Sequence, residues 1–556
     1  MKSISRRNFL ASAVAAGAGL AASRCSSLLS LQHAIRNFSG QYDVILRNGI
    51  IVDGSGGPSF TADLGIQDDE ISAIGDLSEA HGAVVYDCSG LHVCPGFVDL
   101  HSHSDYVLFK DARAFSKIYQ GVTTEIVGQD GRSAGPFLPG LAKAMHAQIQ
   151  SSNGRVPYWT TIAGYYDALD DKGIALNVKT MVGSGTLRQN LAGYDRRELT
   201  KKEIAKARDM LAEGLADGAA GVSSGLEYLP NALSTTEELI QLCKGAGLYT
   251  THMRNEDDDV LAAMIEAIRI AREADVDLNI SHFKLQGQRN WDQIKNAFIV
   301  IEQARQSGLR LTMDRYPYLA YHTALNSMFP VWAQKKGINS SLLRGRNGEI
   351  LRKQVLDKVS GIGGFDRIRL GVVYSSKYRK YSGKDLLTIS RSLGRPPYEL
   401  MIDICATGSS STVVFAMSDE NLMRIYKDPF ASVASDGSAL HPNMKGHPHP
   451  RNYGTFPRFL SHYVLEKGIL SFEEGIRRCS ALPASVAGLH RRGMLREGWK
   501  ADICILSQKN IGSFATYDEP LRLPSGVDGL IVNGRFVMRN GYFTGTFGGK
   551  ALREER

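Results

Sequence analysis

From residue 41 the chain runs in short segments with the two-residue alternation of strands. Tyr42-Asp43-Val44-Ile45-Leu46-Arg47-Asn48-Gly49 is followed by turn signals at Asp53-Gly54 and Ser55-Gly56-Gly57, and the same texture continues to about Asp87. The far end repeats it in Ala501-Asp502-Ile503-Cys504-Ile505-Leu506 and in Gly529-Leu530-Ile531-Val532-Asn533-Gly534-Arg535-Phe536-Val537. Two β-rich ends of like texture predict one small β-sandwich domain built from residues 41–93 and 491–556. Between them the period changes: short apolar strands alternate with amphipathic stretches such as 238–244 and 260–274, the pattern of repeated β-α units. Strand ends are predicted near His101 to His103, Asp130, Gly183, Ser223, His252, His282, Asp314 and Asp436. Eight parallel strands with helices outside make an α/β fold, a (β/α)8 TIM-like barrel over residues 94–490, whose chemistry belongs at the C-terminal strand ends. The gap of roughly a hundred residues before the last strand is too long for a crossover, so an inserted subdomain is expected within about 317–397.

Composition narrows the class. In 556 residues, 43% are apolar and 22% charged, which excludes a disordered, collagenous or multispan membrane protein. The net charge of +8 is spread without long basic runs, so no nucleic-acid partner is expected. Cys25, Cys88, Cys94, Cys243, Cys405, Cys479 and Cys504 are odd in number and lack any Cys-x-x-Cys pair, which argues for buried small hydrophobes over disulfides or a thiolate zinc knuckle. At the N-terminus, Ser5-Arg6-Arg7-Asn8-Phe9-Leu10 precedes an Ala/Gly-rich run over 11–22, too short to span a bilayer. Residues 1–33 therefore read as a twin-arginine export signal and linker, which makes the export machinery a partner and the periplasm the destination. Arg24 stands where a lipidated Cys25 needs a small neighbour, so lipidation is not expected.

The sharpest chemical signal is Pro95-Gly96-Phe97-Val98-Asp99-Leu100-His101-Ser102-His103-Ser104-Asp105. Alternate residues at a strand end face one way, so His101 and His103 can present two imidazoles to one metal ion. His252 in Thr251-His252-Met253-Arg254-Asn255-Glu256 and His282 in Ile280-Ser281-His282-Phe283-Lys284 fall at other strand ends on the same rim. Asp436, where the last strand meets Gly437, can take a proton from a metal-bound water and pass it to a leaving nitrogen.

These residues carry a resemblance that covers nearly the whole chain after the signal. With Gly121-Val122-Thr123-Thr124, Gly225-Leu226-Glu227-Tyr228-Leu229-Pro230, Asp314-Arg315-Tyr316-Pro317-Tyr318 and Arg451-Asn452-Tyr453-Gly454-Thr455-Phe456-Pro457-Arg458 in the same order, the chain resembles the amidohydrolase superfamily and, within it, the D-aminoacylase family of N-acyl-D-amino-acid deacylases. The resemblance implies zinc, one or two ions, at the strand ends of a barrel, and hydrolysis of the amide of an N-acyl amino acid of D configuration. It makes His252 and His282 the principal zinc ligands, His101 and His103 a second position, and Asp436 the general base and then acid. It also makes Lys284, Tyr316 and Arg451 the anchors of the substrate carboxylate, a task that suits a guanidinium and an ammonium.

One departure stands out. Where the family carries Gly-Asn-Cys-Gly with the Cys as ligand, this chain has Gly128-Gln129-Asp130-Gly131, so Asp130 replaces a thiolate with a carboxylate, which favours a harder ion. Glu125 is the rival ligand, but five residues of strand separate it from Asp130 by roughly 16 Å. Ser184 stands where relatives often have His, and Lys179 falls too early on its strand to bridge metals. His441, His447 and His449, in a Pro/Gly-rich loop, read as surface residues. The alternatives are a dipeptidase taking a C-terminal D-residue, a cyclic-amide hydrolase on the same fold, and a non-catalytic binding protein.

Overall fold

The computed structural model describes residues 41–553; the signal motif and Cys25 lie outside them. The chain begins with β1 (Gln41–Ile51), β2 (Phe60–Gln67), β3 (Glu70–Gly75), β4 (His81–Asp87) and β5 (His92–Pro95). It then enters three parallel strands, β6 (Phe97–Asp99), β7 (Val122–Val127) and β8 (Asn177–Thr180). After the single residue Met181, β9 (Val182–Gly183) continues β8 and pairs with β10 (Val222–Gly225). Next come β11 (Leu248–His252), β12 (Asp277–Ile280) and β13 (Leu311–Arg315), all parallel.

Between β13 and the last strand of this series lie β14 (Ala320–Ala324), β15 (Ile368–Val373) and β16 (Ser410–Phe415). They form a separate antiparallel sheet in the order β14-β16-β15 over its own apolar cluster, including Leu351, Val355, Leu370 and Val414. The strand that completes this sheet lies beyond Pro397, where the sequence pattern set the end of the insertion. Pairing between residues some ninety apart, such as Tyr321 with Val414, leaves no mark on local periodicity.

The series resumes with β17 (Ala431–Val433) beside β13, giving the parallel order β17-β13-β12-β11-β10-β9. The end of β17 then returns to the end of β6: the Asp436 amide donates to the His101 carbonyl at 2.8 Å and the His103 amide to the Gly437 carbonyl at 2.9 Å. The fold is of TIM-barrel type with an extra domain. That last contact carries the most chemical weight, because it places the His101/His103 segment against Asp436.

The final strands, β18 (Ile503–Leu506), β19 (Val527–Val532), β20 (Arg535–Arg539) and β21 (Tyr542–Phe543), join the first five in one nine-stranded sheet. The seam is the antiparallel pairing of β5 with β18, in which Cys94 opposes Cys504. Leu46, Leu64 and Ile66 from one chain end and Ile503, Ile505 and Ile531 from the other share one apolar cluster. Each such buried side chain is worth about 1.5–3 kcal/mol, so the two ends stabilise each other. All six described cysteines are free, and all but Cys405 are buried. Burial pushes the Cys88 thiol up to about 12, as for an inert small hydrophobe. No helix among the described residues is long and apolar enough to cross a membrane.

Candidate metal centre and substrate cavity

The extended backbone continues past β6 and divides its side chains between two faces. His101 and His103 point toward Asp130 and Asp436, whereas Ser102 and Ser104 turn to the reverse side and hydrogen-bond Glu125 at 2.6 and 2.9 Å. His103 Nε2 lies 3.1 Å from Asp436 Oδ1 and 3.6 Å from Asp130 Oδ2; His101 Nε2 lies 3.5 Å from Asp130 Oδ1.

Asp130 enters from the loop after β7, which is pinned at several points. The Gly128 carbonyl accepts from Ser223 Oγ, the Gly131 amide donates back to that hydroxyl, and the Gly128 amide donates to Asp105, whose carboxyl burial pushes up to about 6. Gly131 is obligatory, since a Cβ there would stand 2.4 Å from Asn231 Oδ1. Asp130, His282 and Asp436 all adopt left-handed backbone, with φ of 54°, 37° and 49°. That conformation is costly for side-chain-bearing residues and persists where surrounding contacts over-determine it. At His282 one such contact is its amide bonded to Asp314 Oδ1 at 2.8 Å.

The donors converge. His101, Asp130, His282 and Asp436 bring one ligand atom each within 4.8 Å of one another, and His252, Glu256 and His282 form a second such group. His252 Nδ1 is 3.0 Å from His282 Nε2, which is 3.6 Å from Asp130 Oδ1. Atoms sharing a tetrahedral zinc with bonds of 2.0–2.1 Å stand about 3.3 Å apart, so the His252–His282 and His282–Asp130 separations each fit, while His252 and Asp130 fall in different groups joined through His282. Buried Asp130 Oδ1 and both His101 ring nitrogens have no hydrogen-bond partner, as expected of metal ligands. The charge pattern agrees: burial opposes it, but the Asp130 and Asp314 carboxylates hold the His101 imidazole well above its ordinary value. Asp130 and Asp436 are held well below theirs, against burial, by His101 with His282 and by Arg451 with His282. The cluster demands positive charge.

Residues that sequence reasoning missed orient these ligands. Glu256 Oε1 lies 3.1 Å from His282 Nδ1, so a proton there faces the carboxylate and leaves Nε2 free for metal. His252 Nε2, buried without a hydrogen-bond partner, faces Glu227 at 3.5 Å and Glu256 at 3.8 Å, carboxylates beside the ring. Glu256 was in view in its motif, four residues after His252, but on an irregular loop that spacing does not reveal a partner. Lys284 is buried and donates to Glu256 (2.6 Å) and to the His282 carbonyl (3.3 Å).

Beside the cluster opens a cavity of about 810 Å³, to which Lys284, Tyr316 and Arg451 contribute. Arg451 Nη1 pairs with Asp436 Oδ2 at 2.7 Å, while its Nε and the Tyr316 hydroxyl are buried without partners, leaving two donors for a ligand. The Arg451 guanidinium also lies 4.8 Å from the Tyr316 ring centroid. His449 is buried rather than superficial: its Nδ1 accepts from the Arg451 amide and its Nε2 donates to the Ala320 carbonyl, both at 3.0 Å, tying Arg451 to the inserted sheet. His322 and Lys358 reach the cavity from the insertion.

The remaining candidates lie elsewhere. Glu125 is held in a buried network on the reverse face of the strand end, and Ser184 Oγ bonds Asn231. Lys179 lines a separate cavity of about 240 Å³ with Leu489 and Arg492. His441 packs on Phe115, and His447 lies against Gly383 of the insertion.

Comparison with known proteins places this arrangement. The profile of the Amidohydrolase family matches residues 84–374 and 442–538. D-aminoacylase of Alcaligenes xylosoxydans xylosoxydans is 34% identical over 520 residues, 92% of this chain and 98% of that protein. A solved D-aminoacylase, studied for the role of its binuclear metal centre with one-metal activation and second-metal attenuation, superimposes with a TM-score of 0.78 at 31% identity, covering 92% of this chain and 100% of that one. N-acyl-D-glutamate deacylase of Bordetella bronchiseptica, complexed with zinc and a phosphonate mimic of the tetrahedral intermediate, gives the same TM-score, identity and coverage.

Proposed function

This chain belongs to the amidohydrolase family, and from that premise we propose that it hydrolyses N-acyl-D-amino acids to a carboxylate and a free amino acid. One observation carries the reading: two donor groups that share His282, one with His101, Asp130 and Asp436 and one with His252 and Glu256, adjoin a cavity also lined by His103, in which Arg451 and Tyr316 hold unpaired donors.

Asp130, His252 and His282 would hold the principal zinc, with His101, His103 and Asp436 around a second position. Zinc, when bound, lowers the pKa of a water to about 7 and polarises an amide carbonyl. Asp436 is ionised because Arg451 faces it, so it accepts the proton of the attacking water at Oδ1. It then delivers that proton to the amide nitrogen, which leaves as an amine only once protonated. Arg451 and Tyr316 bind the α-carboxylate and so fix which face of the α-carbon meets the cluster. Lys284 joins them if a substrate carboxylate draws it from Glu256.

The nine-stranded sheet of residues 41–93 and 491–556 is read as a sandwich closed over the cluster that its two halves share. The Ser5 to Leu10 motif makes twin-arginine export to the periplasm part of the proposal; Arg6→Lys with Arg7→Lys should retain the protein in the cytoplasm, and unchanged export removes it. The deacylase reading is tested by amine release from matched N-acetyl-D and N-acetyl-L amino acids before and after chelation. Chelator-sensitive release from the D set is expected, and zinc-loaded protein that releases amine from neither set overturns it.

A further inference from the structure

We propose that Lys117 is a positioning residue that sets the His101/His103 half of the metal centre against Asp436. The inference rests on the proposed reading of that centre, but its observations come from outside the cavity. β6 and β7 pair in register so that Asp99 lies beside Glu125, two carboxylates on neighbouring strands, both completely buried. Like charges so placed repel unless a cation stands between them. Lys117, from the short helix Phe115–Ile118, supplies it at 0% exposure, with Nζ 2.6 Å from Asp99 and 2.8 Å from Glu125.

The same ammonium reaches the reverse faces of both active segments. It lies 2.8 Å from Ser435 Oγ and 3.3 Å from the Gly437 carbonyl, the two neighbours of Asp436, and 3.4 Å from Ser102 Oγ, between His101 and His103. Its carboxylate partners extend the grip. Asp99 accepts from the Ser435 amide (2.8 Å) and hydroxyl (2.5 Å), and Glu125 accepts from Ser102 and Ser104. Strand alternation completes the logic, since a backbone that turns Ser102 and Ser104 into the network must turn His101 and His103 toward Asp436. None of Asp99, Lys117 and Glu125 lines the cavity, so the network acts through the groups that do.

Without Lys117, two buried carboxylates face each other unpaired and the segments they hold must part or admit water. The test compares Lys117→Met, and the milder Glu125→Gln that keeps the Lys117–Asp99 pair, with wild type by zinc-binding isotherm, kcat and KM. Lys117→Met should weaken the cation at His101 and His103 by about 10–100-fold, the usual effect of removing an outer partner of a metal site. The cation at Asp130, His252 and His282 should stay within about threefold. kcat should fall by about 10–100-fold while KM stays within about threefold, because neither Arg451 nor Tyr316 touches Lys117, Asp99 or Glu125 and Arg451 meets the network only through Asp436. Glu125→Gln should act in the same direction, about 3–10-fold. A merely structural ion pair predicts lower thermal stability with cation affinity and kcat within about twofold of wild type, and that result overturns the proposal. If Lys117→Met does not fold, Glu125→Gln decides by the same criteria. The isotherm needs no substrate, so a wild type without deacylase activity sinks the functional reading while the positioning role is still judged.

Discussion

Both sides of the metal rim rest on a buried lysine–carboxylate group, and the two groups differ in reach. Under His252 and His282 the pair is Lys284 with Glu256; under His101, His103 and Asp436 it is Lys117 with Asp99 and Glu125. Burial opposes ionisation of Glu256, but Lys284, His252 and His282 hold its carboxyl far below the usual range. Lys284 is part of the cavity wall, so a substrate carboxylate can compete with Glu256 for it. Lys117 is enclosed by acceptors belonging to the protein itself and has no such exchange open to it. The same ion-pair chemistry can therefore bind substrate where it meets a cavity and can only hold geometry where it is sealed.

That contrast can be broken experimentally. The largest effect is expected at the acid between the two sides: Asp436→Asn should keep the principal zinc of Asp130, His252 and His282 yet lose about 10³-fold in kcat, read from metal content and steady-state kinetics. Substantial retained turnover removes Asp436 from the proton path. Lys284→Met should raise KM by about 10–100-fold, the worth of a charge-assisted contact, whereas Lys117→Met leaves KM nearly unchanged. Equal KM effects would erase the distinction between the sides. Glu256→Gln should weaken zinc by about 10-fold, since the amide cannot hold the His282 proton as a carboxylate does; a titration showing unchanged affinity would free His282 from that partner.

The smallest effect concerns pH. Burial, and then the Arg451 guanidinium, lower the His322 imidazole to about 3, against about 6.5 in an unfolded chain. Between those values the unfolded state binds the additional proton, so stability should fall as pH drops through that window. His322→Asn should flatten this slope in thermal midpoints measured from pH 7 to 4; an unchanged slope assigns the acid sensitivity elsewhere.

Much of the centre was legible from sequence, for a local reason. His252 closes a short apolar strand and His101, His103, Asp130, His282 and Asp436 follow others within four residues, and a parallel β-α series brings such ends to one face. Strand alternation also tells that His101 and His103 share a side. Glu125 shows where this stops. It was the rival ligand to Asp130, and only the register of β6 on β7 sets it beside Asp99, on the reverse face and around Lys117. Glu227, Lys358 and His322 likewise reach the cavity from loops and an insertion whose paths depend on long-range packing. By itself, then, the sequence determined the order of the strands and the chemical groups at their ends, because periodicity and short motifs are properties of neighbouring residues. Tertiary structure alone decided which carboxylate meets which cation and which imidazole nitrogen is left for metal. Those outcomes depend on pairings between residues such as Asp99 and Ser435, hundreds of positions apart, whose energies are decided by burial that no local pattern records.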